Sequence, residues 1–321
     1  MWQFEKNKKH PCPSCGKNTY VRLIDNNGNY LPIEYGKCDR YDNCGYRKYP
    51  TKINLSTDYI PTNLIKYVCT SNIFKNDLLN ALLIYPIFSQ AKLFKVFELY
   101  RVFSIKKTGN PFIDAFENSP VFFFYEKINN KPLISYGQVI RYQGIKRDKN
   151  HKPTNISKLI NYYNEHFLKN DKIALHLKGY EEKPTKRECY FGHHLLSEYP
   201  NVSNVILVES PKTAIIATAY YGLPNEINAI FLAIGGNSLN QNYLSKIAHK
   251  RIIAIPDSSN GNKFLNDWSE VLISRSVANH VVIDIHAPAE YDLADLIIER
   301  NPINIHNYLI NNDKKNFFSN F

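Results

Sequence analysis

The sequence has no long apolar stretch. Among its 321 residues, no run approaches the roughly 18 consecutive apolar residues of a membrane-spanning helix, so no membrane partner is predicted. The N-terminal segment, residues 1–10, is mostly polar and charged and does not resemble a signal peptide. No internal repeat and no low-complexity tract is evident. These absences predict a cytoplasmic protein.

Acidic residues are the scarcer charged class. The chain has 29 Asp and Glu against 40 Lys and Arg, a net charge of +11, and a pI near 9.1. Excess positive charge favours a polyanionic partner, because neutralising phosphates releases counterions. We therefore predict a nucleic-acid partner. The length and the 44% of hydrophobic residues suffice for about two domains of roughly 150 residues each.

Cysteine is also rare, with 6 residues in the chain, but four of them lie near the N-terminus. They form two close pairs separated by 22 residues: Cys12, Cys15, Cys38 and Cys44. Thiols stay reduced in the cytoplasm, so clustered cysteines indicate metal ligands before disulfides. Four thiolates form the closed tetrahedral site of structural Zn²⁺. The spacing predicts a zinc ribbon, with His10 as a conceivable substitute ligand.

The predicted zinc ribbon spans residues 1–50. Residues 19–24 and 30–35 are expected to form a two-stranded hairpin between the cysteine pairs. A module this small buries little core, so the metal is expected to stabilise it. Its basic surface, which includes Arg40 and Arg47, predicts a nucleic-acid contact. A purely structural cap with solvated lysines is the alternative.

Residues 51–186 are expected to form a mixed α+β region. Its clearest signal is a pair of apolar segments, 120–127 and 133–142, which predict an antiparallel hairpin. Arg141, Lys146 and Arg147 follow among tyrosines, and basic residues interleaved with aromatic ones suit single-stranded nucleic acid. A solvated loop is the equal alternative for this stretch.

Residues 187–300 alternate short apolar segments with helical ones. The predicted strands are 204–209, 229–234, 251–256 and 280–285, and a helical segment follows each. This alternation is typical of a parallel sheet with helices on both faces. The predicted fold is therefore α/β, with the zinc ribbon and the mixed region before the sheet and a tail at 301–321.

Polar residues follow three of the predicted strands. Glu209 ends the first, Gly235 and Gly236 follow the second, and Asp257 ends the third. Right-handed crossovers place these strand ends along one edge, where open α/β sheets bind ligands. Carboxylate oxygens are natural ligands of Mg²⁺. Glu209 and Asp257 are therefore predicted to hold a divalent cation, Mg²⁺ or Mn²⁺.

The same edge is predicted to bind a phosphate group. Gly235 and Gly236 let the backbone approach a phosphate, and Asn237 follows them at a helix N-terminus that adds anion affinity. Lys212 stands three residues after Glu209. It is expected to contact a phosphate in catalysis or to hold Glu209 in place.

The order strand–Glu, strand–Gly, strand–Asp is similar to the Toprim domain of DnaG-type primases, topoisomerases and related nucleases. An N-terminal zinc ribbon ahead of it is the layout of bacterial primases. Segments 136–142, 189–196 and 208–214 look like the Toprim-like proteins of Bacteroidetes mobile elements, a family named as a domain of unknown function. The resemblance implies that Glu209 is a general acid or base and Asp257 a metal ligand. It also implies that 51–186 is a primase-like N-terminal subdomain.

The sequence departs from the Toprim pattern at one position. That pattern has a second acid two residues after the first aspartate, where this sequence has Ser259. A replacement ligand for Mg²⁺ is expected from Asp284, at the end of the fourth strand, or from Asp292 and Asp295.

Three functions are compatible with these features. The leading one is a primase-like protein of a mobile element or phage. It would make primers from nucleoside triphosphates on single-stranded DNA with Mg²⁺, and replication proteins are candidate partners. The second is a Toprim nuclease. The third is a catalytically lapsed nucleic-acid-binding accessory or inhibitor, which the missing second acid favours.

Overall fold

The computed structural model describes residues 2–5, 8–25, 28–40, 44–48, 60, 62–128, 131–167, 189–236, 239, 241–275, 277 and 279–310. The chain divides into two compact units, Met1–Thr57 and Asp58–Phe321. Among the described residues, every helix is too short or too polar to cross a membrane.

The first unit is built from short antiparallel strands. They are β1 (Trp2–Phe4), β2 (His10–Pro11), β3 (Asn18–Asp25), β4 (Gly36–Cys38) and β5 (Arg47–Lys48). The long strand β3 pairs with β1, β2 and β4, and β4 also pairs with β5. Among the described residues of this unit, the buried hydrophobic side chains are Cys12, Tyr20, Val21, Leu23 and Cys38, and Tyr20 and the two cysteines pack as one cluster. The metal-ligating side chains are thus a large part of what this unit buries.

The predicted ribbon hairpin is right in its first strand and wrong in its second. Residues 19–24 lie in β3, but its partner in the ribbon is β4, which begins at Gly36, rather than 30–35. The segment 30–35 makes one bridge to Ile24 and then turns, with the Tyr35 amide donating to the Pro32 carbonyl at 2.9 Å. Pro32 has no amide proton to give to a strand ladder, which is why pairing stops there.

An antiparallel sheet forms the first part of the second unit. Its strands are β6 (Cys69–Thr70), β7 (Phe103–Ile105), β8 (Pro120–Ile128), β9 (Lys131–Val139) and β12 (Thr154–Asn155). Their order is β12-β9-β8-β7-β6. A separate two-stranded hairpin consists of β10 (Tyr142–Gln143) and β11 (Lys146–Arg147). The predicted pairing of 120–127 with the following apolar segment is confirmed as β8 and β9.

The dense apolar sequence of β8 follows from burial of both its faces. Phe122 and Phe124 pack into a core shared with the parallel sheet, whereas Val121, Phe123 and Tyr125 pack into a second core. Successive side chains of a strand point to opposite faces. A strand with helices on both sides therefore carries an unbroken apolar run. The helices of this region are α1 (Thr62–Val68), α2 (Asp77–Leu82), α3 (Gln90–Leu99), α4 (Pro111–Asp114) and α5 (Ile156–Phe167), with a 3₁₀ turn at Ile73–Lys75.

The second part of this unit is a four-stranded parallel sheet. Its strands are β13 (Asn204–Val208), β14 (Ala229–Ala233), β15 (Arg251–Ala254) and β16 (His280–Val282), in the order β14-β13-β15-β16. All three pairings are parallel, which confirms the predicted α/β fold. The associated helices are α6 (Leu195–Glu198), α7 (Pro211–Tyr221), α8 (Pro224–Ile227), α9 (Gln241–Leu244), α10 (Lys263–Ser274), α11 (Leu293–Ile298) and α12 (His306–Ile310).

Helix α7 connects the sheet to the candidate site. All residues from Pro211 to Ala219 are buried, and the helix packs against β14, α3 and α11. Its start is fixed by the Ser210 hydroxyl, which accepts a hydrogen bond from the Thr213 amide at 3.1 Å, and by Pro211 in the first turn. The chain therefore leaves β13 in one defined direction, with Glu209 at the strand end.

Candidate functional sites

The four N-terminal cysteines form a metal-binding cluster. The Sγ atoms of Cys12, Cys15, Cys38 and Cys44 all lie within 4.8 Å of one another. Four sulfurs at this separation suit tetrahedral Zn²⁺. The predicted zinc ligands are thus brought together, and the residues fit a structural zinc ion.

Two tight turns position the thiols. After the first pair, the Gly16 amide donates to the Cys12 carbonyl at 2.9 Å, and Gly16 has a φ of 69°, in the left-handed region that glycine tolerates best. At the second pair, a hydrogen bond from the Tyr46 backbone is the largest influence on Cys44 and lowers the pKa of its thiol to about 7. A lowered pKa favours the thiolate that binds metal.

His10 does not join the cysteine cluster. Its Nε2 lies 2.6 Å from Glu5 Oε2, and the described group of potential ligands contains cysteines alone. Of the two arginines predicted to contact nucleic acid here, Arg47 is exposed in β5 and Arg40 is partly buried in the turn after β4. Their role in binding stays a prediction.

Two carboxylates meet at the carboxyl edge of the parallel sheet. Glu209 follows β13 and Asp257 lies just beyond β15, and these two strands are neighbours. Glu209 is only 7% exposed, and its Oε1 is buried without a hydrogen-bond partner among the described residues. A buried acceptor without a partner costs free energy unless a ligand satisfies it.

The two carboxyl groups hold their protons unusually tightly. Burial raises the pKa of Asp257 to about 10, assisted by its hydrogen bond to Glu209 and by the charges of Glu209 and Asp292. Burial and the Asp292 charge also raise the pKa of Glu209, while the hydrogen bond from Asp257 opposes this. Burial and the mutual repulsion of the two acids thus both favour a protonated carboxyl in this pair.

A buried ion pair lies beside these acids. Lys212 Nζ is 2.9 Å from Asp292 Oδ2, and the same oxygen accepts a hydrogen bond from Thr213 Oγ1 at 2.9 Å. Burial opposes ionisation of Asp292, but Lys212 and these hydrogen bonds outweigh it and lower the pKa of the carboxyl. Burial likewise opposes the charge of Lys212, and the carboxylates, Asp292 first, raise its pKa. The ammonium is therefore held charged within the acidic cluster.

Asp292 also fixes the loop that follows the sheet. Its Oδ1 accepts from the Asp295 amide at 2.9 Å, and Asp295 Oδ2 accepts from the Asp292 amide at 3.1 Å. These reciprocal bonds form a capping box at the start of α11. Asp292 thus has a structural role in α11 as well as its electrostatic influence on Glu209 and Asp257.

The position of the missing second acid is occupied by a structural serine. Ser259 Oγ accepts a hydrogen bond from the Phe264 amide at 2.9 Å, and Ser258 Oγ donates to the Ala287 carbonyl at 2.5 Å. The carboxylate of Asp284, a predicted Mg²⁺ ligand, accepts a hydrogen bond from the His286 amide at 2.8 Å and lies 3.4 Å from the Nδ1 atom of the His286 ring. The charge of Asp292, by contrast, raises the pKa of both Glu209 and Asp257.

The predicted phosphate-binding glycines follow β14 at the same edge. The Gly235 amide donates to the Glu209 carbonyl at 2.8 Å, and Gly235 has a φ of 73°. Gly236 is partly exposed beside it. Asn237 lies outside the described residues. The Gly235 amide is thus used in holding the Glu209 backbone.

The predicted nucleic-acid-binding residues of the second unit separate into two kinds. Arg141 is structural: its Nη1 donates to the Ala115 carbonyl at 2.8 Å, and its Nε lies 3.4 Å from buried Asp148. Lys146 and Arg147 are exposed in β11. The charge of Lys146 acts on the pKa of Asp295, so this hairpin lies near the acidic cluster.

Sequence reasoning missed one contributor to this site, Thr213, which donates to Asp292. It named Lys212 but not its partner, since Lys212 pairs with Asp292 rather than with Glu209. The signal that points to Asp292 is the Asp-x-x-Asp capping box before an apolar run. Its partner is far away in the chain, and the sequence contains no local sign of that contact.

The class of protein defined by these features is a zinc-ribbon protein with a parallel α/β domain. Residues 1–58 match a family model described as a zinc beta-ribbon finger. Residues 76–258 match the model of the domain of unknown function DUF6371, and the chain belongs to this family. The two matches confirm the predicted N-terminal zinc ribbon and the predicted membership of a domain-of-unknown-function family.

The chain is also similar to a solved structure, the crystal structure of the primase fragment of the bacteriophage T7 primase-helicase protein. The similarity covers 93% of this chain and 96% of that chain, at 12% identity and a TM-score of 0.46. A likeness of this size does not decide function. No curated protein matches the chain significantly.

Proposed function

We propose that this protein binds single-stranded nucleic acid and carries out Mg²⁺- or Mn²⁺-dependent phosphodiester chemistry, with primer synthesis from nucleoside triphosphates as the reaction. The observation that carries the proposal is the buried Glu209 Oε1 without a partner, next to Asp257 at the carboxyl edge of a parallel sheet. Ligands bind at this edge in open α/β folds.

The acidic pair fits one hard cation. Two carboxylates are a common protein contribution to a Mg²⁺ site, in which waters and phosphates complete the coordination. A bound cation would favour the ionised form of both acids, and the buried Oε1 of Glu209 would gain a partner. Such an ion would neutralise charge on a transferring phosphoryl group.

The other residues have roles that follow from their chemistry. Glu209, with its raised pKa, is suited to exchange a proton with a reacting hydroxyl as general acid or base. The buried ammonium of Lys212 supplies fixed positive charge beside the pair. That charge would stabilise negative charge that develops on a phosphoryl group.

We expect the basic hairpin of β10 and β11 to guide a nucleic-acid strand. Lys146 and Arg147 are exposed, and Lys146 is close enough to Asp295 to influence its pKa. Burial raises the pKa of Tyr142, which is paired with Arg147 in the hairpin, and the charge of Asp292 adds to this rise. Phosphate contacts from this hairpin would bring a strand next to Glu209 and Asp257.

Substitution of the two acids tests the proposal. Glu209→Gln and Asp257→Asn are each expected to abolish incorporation of labelled ribonucleotides on a single-stranded DNA template with Mg²⁺. Both should also weaken Mn²⁺ binding measured by electron paramagnetic resonance, while oligonucleotide affinity stays near that of the unmodified protein. Asp267→Asn, an exposed acid on α10, is the matched control. Retained incorporation in both acid variants would refute the assignment.

A non-catalytic nucleic-acid-binding role is the second candidate. It is favoured by Ser259, which is bonded to the Phe264 amide where Toprim enzymes have a second acid. Apart from the four cysteines, the described residues contain no group of three potential ligands within metal-binding distance. Oligonucleotide binding without Mn²⁺ binding or product would support this role. Mg²⁺-dependent cleavage without added nucleotides would instead identify a nuclease.

A further inference from the structure

A polar cavity lies at the amino ends of the parallel strands, on the edge opposite the acidic site. Its volume is about 380 Å³. It is lined by residues that precede or begin β13, β14, β15 and β16 and by Leu309 of α12. Because β13 has 5 residues, this edge is about 16 Å from Glu209 at roughly 3.3 Å per residue.

The lining of the cavity is rich in donors and contains no acid among the described residues. Its polar side chains include Asn228, Lys250, Arg251 and Asn279. A cavity with two permanent cations and no carboxylate has a positive potential, which favours an anion over a neutral or cationic ligand.

Arg251 is the central observation. Its Nη1 is buried without a hydrogen-bond partner, and no described carboxylate forms an ion pair with it. Burial also lowers the pKa of the guanidinium. A bound anion would supply the missing counter-charge.

The neighbouring donors are held in place by the backbone. Lys250 Nζ donates to the carbonyls of Pro200 at 2.7 Å and Val202 at 2.6 Å, so its ammonium stays beside the cavity. Asn228 Oδ1 accepts from the Ser203 amide at 2.9 Å. This bond leaves the NH₂ group of the Asn228 side chain as a donor.

We propose that this cavity binds a phosphate group, with Arg251 as its principal ligand. A guanidinium matches the geometry of phosphate oxygens, and charge-assisted bonds to it are strong. The inference does not depend on the proposed chemistry at Glu209. The phosphate can come from a free phosphate compound or from a nucleic-acid backbone, and the test separates the two.

Calorimetric titration of the full chain tests the site, in buffer without added divalent cations. Inorganic phosphate and pyrophosphate are the first probes, and an oligothymidylate is the second. Arg251→Met is expected to weaken binding of at least one probe tenfold or more. The matched control is Arg275→Met, which removes an exposed arginine after α10 and should leave every affinity unchanged.

A second variant covers the case in which Arg251→Met fails to fold. Asn279→Asp places a carboxylate at the rim on an exposed residue, and it should cause the same tenfold loss. Weaker binding of phosphate and pyrophosphate by the variants identifies a site for free phosphate compounds. Weaker binding of the oligonucleotide alone identifies a contact to the nucleic-acid backbone. If every probe binds both variants as it binds the unmodified protein, or if no probe binds that protein, the proposal is wrong.

Discussion

The buried pair of Lys212 and Asp292 allows a quantitative test of how the acidic site is held together. The two groups are 2.9 Å apart, and both side chains are about nine-tenths removed from solvent. Removing one partner of a buried ion pair leaves an uncompensated charge, which costs about 3–5 kcal/mol. Lys212→Met leaves Asp292 with its bonds from Thr213 and the Asp295 amide. We therefore expect Lys212→Met to lower the free energy of unfolding by about 3 kcal/mol, near the lower limit of this range.

The double variant Lys212→Met/Asp292→Asn removes both charges together. Replacing a buried pair by neutral groups is far less costly than breaking it, so the double variant should be more stable than the sum of the single losses predicts. For groups in direct contact, the coupling free energy is expected to be about 1–3 kcal/mol.

Urea unfolding of the four proteins measures this coupling. If the loss of unfolding free energy in the double variant equals the sum of the losses in the two single variants to within about 0.5 kcal/mol, the assignment of a buried ion pair is refuted. Measurements of Mn²⁺ binding and primer synthesis in the same proteins then distinguish a structural role of Lys212 from a catalytic one. If Lys212 only holds α11 in place, the double variant should regain both Mn²⁺ binding and primer synthesis. If the charge of Lys212 acts on a phosphoryl group, the double variant should regain Mn²⁺ binding but not primer synthesis.

The remaining predictions concern the zinc ribbon, the buried histidines and the basic hairpin. Protein prepared without chelators should contain about one zinc ion per chain by elemental analysis, and Cys38→Ser should contain less; a chain without zinc would contradict the ribbon site. Burial lowers the pKa of His193 and of His194 from 6.5 to about 4. The unfolded chain therefore binds more protons between these values, and stability is lost as pH falls through that window. Replacing either histidine with glutamine should therefore reduce the loss in the free energy of urea unfolding between pH 7 and pH 5 by about 2 kcal/mol, and a pH dependence equal to that of the unmodified protein would contradict this. Lys146→Gln with Arg147→Gln should weaken oligonucleotide binding and reduce the slope of log affinity against log salt by about 1.4; an unchanged slope would exclude the hairpin from the interface.

Local patterns predicted much of the fold and part of the site. The cysteine spacing identified the zinc cluster, and the strand–helix alternation identified all four parallel strands, because both signals depend on residues close together in the chain. Glu209 and Asp257 could be placed at one edge because parallel strands share their direction. The partner of β3 was misplaced, because 30–35 has strand-like composition while Pro32 prevents the pairing.

What the sequence did not reveal depends on contacts between distant residues. Lys212 and Asp292 are 80 positions apart in the chain, and their contact requires α7 and α11 to pack together. Arg251 is read from the sequence as the first residue of a strand, and its lack of a counter-ion is visible only in the folded chain. Neither property leaves a periodic or motif-like trace.

The burial of the first nine residues of α7 also limits how this family can vary. Because residues from Pro211 to Ala219 all face other parts of the protein, any change along them disturbs packing on β14, α3 or α11 before it alters the acidic site. New substrate preferences are therefore expected to arise in the surrounding loops and in the hairpin of β10 and β11, whose exposed residues can change without cost to the core. The segment after Glu209 would then stay nearly constant among relatives whose partners differ.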